Sequence, residues 1–164
     1  MKHKELLQKF YNSFSTGNAQ EMMDCYHDNI TFQDPAFGIL KGNRAKYMWE
    51  MLLSKKDSDL KIDYKILKTD DNYGKVNWTA RYNYGPKKRK VVNKVTANFE
   101  FKDGKILKHT DDFNLWIWSK QALGASGYLL GWSSYMRDQI QKKTNKLLST
   151  FINKLTIPKS VPRE

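Results

Sequence analysis

The chain has 164 residues, 40% hydrophobic and 13% aromatic, with 29 basic against 17 acidic side chains and a net charge of +12. This is the composition of one globular domain with room for a real core, and it excludes a disordered chain. One cysteine, Cys25, excludes an intrachain disulfide and a cysteine-based metal cluster; no stretch reads as a bilayer span or secretory leader, so the expected location is the cytoplasm.

In chain order, Leu6, Leu7, Phe10 and Phe14 follow helical spacing, and Gly17 ends that helix. Asn18, with Glu21 three residues on, resembles a capping box for a short second helix through Met22 and Met23. Ile30 to Asp34 reads as a strand stopped by Pro35. Asn43 is the expected N-cap of a third helix, with Tyr47, Met48, Met51 and Leu52 on one stripe. From Leu60 the period changes to two. Leu60–Ile66, Val76–Tyr84, Val95–Phe101 and Leu107–Ile117 each alternate, the signature of half-buried strands. Turn signals at Asp70–Gly74, Gly85-Pro86 and Asp103-Gly104 join them into antiparallel hairpins.

The last strand is expected to run to Trp118, with Trp116 and Trp118 on its outward row and in need of cover. Beyond it the pattern is helical. Gln121–Leu123 ends at Gly124, and Gly127–Trp132 reads as a connector. Ser133 or Ser134 caps a long helix to about Lys154, with Met136, Ile140, Leu147, Leu148, Phe151 and Ile152 as its stripe. Residues 1–118 then form one α+β domain, 119–157 a helical extension packed on it, and 158–164 a loose tail.

The chemistry lies where the last strand breaks its pattern. From Leu107 the odd positions read Leu107, His109, Asp111, Phe113, Leu115, Ile117, so His109 and Asp111 stand in the inward row. Buried ionisable groups are paired, hydrogen-bonded or employed in a site. A satisfied polar pair is one reading and an acid–base site the other. A metal site would use the same two residues with Asp34, but no ligand motif accompanies them. Asp34 itself precedes a proline and an aromatic, a setting that raises a carboxyl toward neutrality, or simply one in which aspartate caps a turn. The run Lys87-Lys88-Arg89-Lys90 sits at a hairpin tip and reads as a solvated turn. The excess charge raises the question of nucleic acid or an anionic membrane, but no surface of clustered charge with interleaved aromatics is visible. No nucleotide, flavin or haem motif is present, so no cofactor and no metal is expected. Neither a specific nucleic acid nor a membrane is an expected partner, and the net charge of +12 leaves room only for weak, salt-sensitive association with polyanions.

The stretch Tyr26-His27-Asp28-Asn29-Ile30-Thr31-Phe32-Gln33-Asp34-Pro35, with Phe37-Gly38 and Lys41-Gly42, resembles the segment that carries the general base in ketosteroid isomerase. The helix-Gly17-helix opening and the strand order match as well. The resemblance covers roughly residues 4 to 118 and is to the nuclear transport factor 2-like superfamily, with its SnoaL-like polyketide cyclases, limonene epoxide hydrolase and scytalone dehydratase. The segment from Phe113 through Trp132 resembles a SnoaL-like subgroup with a helical extension. The resemblance implies a cone of three helices on a strongly curved, mainly antiparallel sheet, an enclosed pocket for a small molecule, and a homodimer. It places Asp34 at the isomerase's proton-shuttling aspartate. It also puts Phe10 and Ala97 where the isomerase keeps its oxyanion donors, so steroid isomerisation is not implied. Asp34, His109 and Asp111 are the expected acid–base residues, and Tyr11, Tyr47, Trp78, Tyr82 and Phe113 the expected lining for an apolar or aromatic ligand. The implied function is a lyase, isomerase or hydrolase of small molecules; the alternative is a non-catalytic binding or protein-interaction module, since this fold serves both.

Overall fold

The two sequence periods separate into two layers. The computed structural model describes residues 2–56, 59–130 and 133–157. Its elements are α1 (Lys2–Thr16), α2 (Ala19–Asp24), β1 (Tyr26–Asp34), β2 (Gly38–Lys41), α3 (Asn43–Leu53), β3 (Lys61–Thr69), β4 (Tyr73–Tyr84), β5 (Arg89–Lys102), β6 (Lys105–Asp112), α4 (Leu115–Leu123), α5 (Ala125–Leu130) and α6 (Ser134–Thr156). The strands form one curved, unclosed sheet in the order β2-β1-β6-β5-β4-β3. Only the β1–β6 pair among them is parallel. Helices α1 to α3 cover the concave face, and α1 buries Leu7, Phe10, Tyr11 and Phe14 there.

Local signals explain most of the element ends. Asn18 caps α2 by accepting the Glu21 N–H at 3.2 Å. The Glu21 carboxylate does not return to Asn18 but accepts from Ser13 Oγ at 2.7 Å, which ties α2 to α1. Asp103 and Gly104 both take positive φ, 51° and 73°, which the tight β5–β6 hairpin requires. Gly42, at φ 56°, holds the N-cap place of α3 that Asn43 was expected to fill. The buried stripe of α3 is Ala45, Met48, Trp49 and Met51, and Tyr47 is only half-buried beside it.

The largest departure follows β6, which ends at Asp112 rather than continuing to Trp118. Asn114 accepts the Ile117 N–H at 3.0 Å and starts α4. Over the few residues from Leu115 to Trp118 both periods fit the apolar pattern, so the cap decides between them. Trp118 consequently turns inward and donates its indole N–H to Tyr82 Oη at 2.7 Å, whereas Trp116 remains at the surface. Helix α5 occupies most of the expected connector; Gly131 and Trp132, like the tail Pro158–Glu164, lie outside the described residues. Ser133 caps α6 as expected, accepting from Met136 N–H at 3.1 Å. Ile140 and Leu148 are the buried residues of α6. Leu147 is half exposed, because Leu148, about 100° further round the helix, takes the inward place.

Candidate functional site

The sheet register assembles the polar row. Phe32 of β1 pairs with His109 of β6, and Gln33 with Thr110. The same register carried one residue further sets Asp34 beside Asp111. On the other side, β5 places Phe99 opposite His109 and Ala97 opposite Asp111. Paired residues share a sheet face, so Asp34, Asp111 and Ala97 form one inward row. The position of the missing isomerase-type carboxylate, Ala97, is thus the direct neighbour of a carboxylate on the next strand.

His109 is fully buried and Asp111 nearly so. His109 Nε2 lies 2.9 Å from Asp111 Oδ1, and His109 Nδ1 lies 2.7 Å from Tyr26 Oη. Trp49 donates its indole N–H to Tyr26 Oη at 2.7 Å, and Trp78 donates its own to Asp111 Oδ1 at 3.2 Å. A carboxylate only accepts, so His109 Nε2 carries the hydrogen toward Asp111. Nδ1 then accepts from the Tyr26 hydroxyl, and every hydrogen along the chain has an acceptor with His109 neutral. The rings of Phe10, Tyr26, Phe32, Trp49 and Phe99 surround the imidazole, with Phe99 at 4.3 Å between centroids.

Asp34 is differently placed. It ends β1 half-buried, and its Oδ1 accepts the Phe37 N–H at 2.6 Å, as an aspartate before a turn does. Burial pushes its carboxyl up to about 7, and the negative charge of Asp111 adds to the rise. The Phe37 and Ala36 N–H groups work against it. Both sequence readings of Asp34, turn cap and near-neutral carboxyl, hold together. Above it lies α6. Gln141 Nε2 donates to Pro35 O at 3.1 Å, Thr144 Oγ1 to Ala36 O at 2.9 Å, and Asn145 Nδ2 to Phe37 O at 2.8 Å. Three consecutive carbonyls after Asp34 are therefore held by one helix. Arg44 of α3 anchors that helix through Asn145 and Ser149, each contact at 3.0 Å.

The other expected residues divide between regions. Trp78 reaches Asp111, as above. The Tyr11 hydroxyl is buried without a hydrogen bond to any described group, and its ring stacks on Tyr64 at 4.9 Å. Burial raises its pKa well above that of an ordinary tyrosine, and Asp111 contributes. Tyr82 and Phe113 lie where the main core meets the smaller cluster of Val91, Trp118, Ala122 and Ile140. Burial pushes the Tyr82 phenol up to about 12. Tyr47 instead lines a groove of about 510 Å³ with Tyr26, His27, Lys46 and Glu50. A second groove, of about 330 Å³, is lined by Lys68, Lys75, Asn98, Lys108 and Thr110. Neither groove touches Asp34, His109 or Asp111. Among the described residues no three His, Cys, Asp or Glu side chains converge as metal ligands would.

Sequence reasoning missed Tyr26, Trp49 and the roof on α6. Tyr26 stood outside the recognised strand because β1 shifts register between Tyr26 and Thr31. Trp49 was legible as one helical step from Ala45 and Leu52. The roof carried no signal, since Gln141, Thr144 and Asn145 read as an ordinary polar face.

A three-helix layer on the concave side of such a sheet, with carboxylates in its inward row, defines the cone-shaped α+β class of the nuclear transport factor 2-like proteins. The family model of the SnoaL-like domain matches residues 7–109, and the chain belongs to that family. Asp111 and helices α4 to α6 lie beyond the matched stretch. No protein of curated function matches the chain. Among solved structures, it is similar to a proposed polyketide cyclase from Pseudomonas putida, with 18% identity, a TM-score of 0.63, and coverage of 72% of this chain and 96% of that one. A proposed isomerase from Bacillus subtilis gives 17% identity and a TM-score of 0.61, covering 76% and 94%. An LEH-like epoxide hydrolase from M. tuberculosis gives 20% and 0.56, covering 76% and 90%. At these identities the likeness establishes the fold.

Proposed function

We propose that this protein takes up an apolar or aromatic small molecule at the rim where β1 ends and moves a proton with Asp34, as a cofactor-independent lyase, isomerase or hydrolase. One observation carries the reading: the register of adjacent parallel strands brings two inward carboxylates together, Asp111 bonded to two core side chains and Asp34 bonded to a turn, with burial and the Asp111 charge raising Asp34 toward neutrality. Asp34 is the proton carrier, because a group titrating near the working pH both holds and releases its proton. Asp111 supplies a fixed acceptor and the negative field that keeps Asp34 basic. His109, enclosed by rings, holds Asp111 in place rather than meeting the ligand. Two such carboxylates with separated environments are the usual division of acid–base labour. The Tyr11 hydroxyl offers a hydrogen to a ligand oxygen, and Trp78, Tyr82 and Phe113 offer apolar walls. Access runs past α6, whose hold on the loop is polar and therefore exchangeable with water. The solved structures of similar fold carry the names of a cyclase, an isomerase and an epoxide hydrolase, which agrees with proton chemistry on small organic molecules.

The test is a panel of epoxides and enolisable cyclic ketones assayed with the unmodified protein and with Asp34→Asn. The expected result is turnover of at least one compound, with a rate inflection near pH 7 and a loss of about 10²-fold or more in Asp34→Asn. A compound turned over at full rate by Asp34→Asn removes Asp34 from the chemistry. The second reading, a non-catalytic binding or interaction module, is favoured by the complete enclosure of His109 and by the two grooves lying elsewhere. It predicts thermal stabilisation by panel compounds without conversion.

A further inference from the structure

The basic hairpin tip and the aromatic segment of the C-terminal region are about 30 residues apart in sequence, and the fold brings them together. Strand β6 pairs with β5 only from Thr96 onward, which leaves the first half of β5 with a bare edge. Helix α4 takes that place. Gln121 accepts from Val92 N–H at 2.7 Å and donates to Val92 O at 3.1 Å, as a neighbouring strand would. Arg89, at the end of the run Lys87-Lys88-Arg89-Lys90, donates from Nε to Gln121 O at 2.9 Å. Its guanidinium packs onto Gly124, where a Cβ would stand 2.9 Å from Cζ, so a side chain there would displace it. The hairpin tip is thereby fixed against the α4–α5 corner.

That corner exposes large apolar groups. Tyr128 is 63% exposed and Leu129 66%, and Trp116 and Ile117 are exposed on the preceding helix. Lys120 Nζ sits 4.2 Å above the Trp116 ring and 5.9 Å from the Tyr128 ring. Trp116 Nε1 donates to Tyr128 O at 3.3 Å, which joins the two helices in one face. The charge is uneven along the sequence as well. Between the flanking acids, residues 82–99 and 113–137 contain no aspartate or glutamate and hold Lys87, Lys88, Arg89, Lys90, Lys94, Lys120 and Arg137.

We propose that this end of the protein docks on the surface of an anionic lipid bilayer. Lys87, Lys88, Lys90 and Lys120 face the lipid phosphates, while Tyr128, Leu129, Trp116 and Ile117 enter the headgroup layer, the level favoured by amphipathic aromatics. Exposed aliphatic groups beside the cations separate this from a polyanion site, since a sugar–phosphate backbone has no use for Leu129 or Ile117. No described helix is long and apolar enough to cross the membrane, so the protein would lie on the bilayer. The inference is independent of the reading of Asp34.

Vesicles of phosphatidylcholine alone and with about a third of phosphatidylglycerol are sedimented with the full chain at low and high salt. Binding is expected only to the anionic vesicles and is expected to weaken steeply with salt. Each removed charge should cost about five-fold in affinity, so the triple variant Lys87→Gln, Lys88→Gln, Lys90→Gln should lose on the order of 10²-fold. Tyr128→Ser with Leu129→Ser should lose about ten-fold or more without unfolding the protein, because both side chains are exposed. No binding to anionic vesicles overturns the proposal. Binding that ignores the Tyr128 and Leu129 changes, and is matched by heparin or single-stranded RNA, identifies a polyanion surface instead. A solution dimer that the same double variant converts to monomer, with no vesicle binding, identifies the face as a contact between two copies.

Discussion

Asp111 and Asp34 are neighbours across two strands, yet the protein treats them oppositely. Asp111 accepts from an indole and from an imidazole that is itself enclosed by rings. Asp34 has a turn N–H as its partner on Oδ1, and its roof is bound to the adjoining carbonyls rather than to its carboxylate. A carboxylate bonded by two core side chains is held in place by the packing. One that is desolvated and held only by the N–H groups of a turn is raised toward neutrality. The buried row therefore divides into a fixed half and a responsive half, and the division follows from what bonds each carboxylate: core side chains for Asp111, backbone N–H groups of a turn for Asp34.

The strongest way to break this comparison is to remove the fixed half. Asp111→Ala leaves the His109 Nε2–H and the Trp78 indole N–H without their acceptor in a water-poor interior. The expected loss is about 4 kcal/mol of unfolding free energy. Asp111→Asn keeps an acceptor oxygen and should lose about half as much. Urea unfolding of both variants beside Asp34→Ala measures the difference. Equal losses for Asp111→Ala and Asp34→Ala would erase the distinction.

The next effect is a pH dependence confined to Asp34. Folding raises this carboxyl from an ordinary 3.8 to about 7. Between those values the folded chain keeps a proton that the unfolded chain has released. Its contribution to stability is intact below about pH 4, declines as pH rises toward 7, and is gone above. Asp34→Asn lacks this dependence. The variant should match the unmodified protein near pH 4 and exceed it at pH 8 by about 2 kcal/mol, the full shift being moderated by water at the rim. Stability curves for the two proteins that stay parallel across this range would place Asp34 among ordinary surface carboxylates.

How far this division was legible in the sequence depends on which force fixed each residue. Alternation placed His109 and Asp111 inward, because a strand cannot bury one row without burying all of it. It failed at Leu115–Trp118, where a short apolar run satisfies both periods and only the Asn114 cap separates them. The strands β3 to β5 were legible because their outward rows are polar along nearly their whole length. Tyr26 and Trp49 were not assigned to the site because their part depends on a parallel pairing between the first and last strands, and no local pattern encodes a partner some 80 residues away. The roof of α6 was hidden for a related reason: its bonds run from side chains to carbonyls, and carbonyls are the same in every residue.

The smallest effect concerns Tyr11, and its sign is what makes it informative. Its hydroxyl is buried, has no hydrogen bond to a described group, and lies in the negative field of Asp111. An unpaired buried hydroxyl is a cost, so Tyr11→Phe should stabilise the ligand-free protein by about 1 kcal/mol while keeping the ring stacked on Tyr64. Asp111→Ala and Tyr11→Phe each delete a polar group from the same interior, yet they should move the unfolding midpoint in opposite directions. If Tyr11→Phe destabilises instead, the hydroxyl has a partner in solution and belongs with the fixed half. If it stabilises, the interior holds one unpaired hydroxyl beside the two carboxylates, free to meet a ligand oxygen.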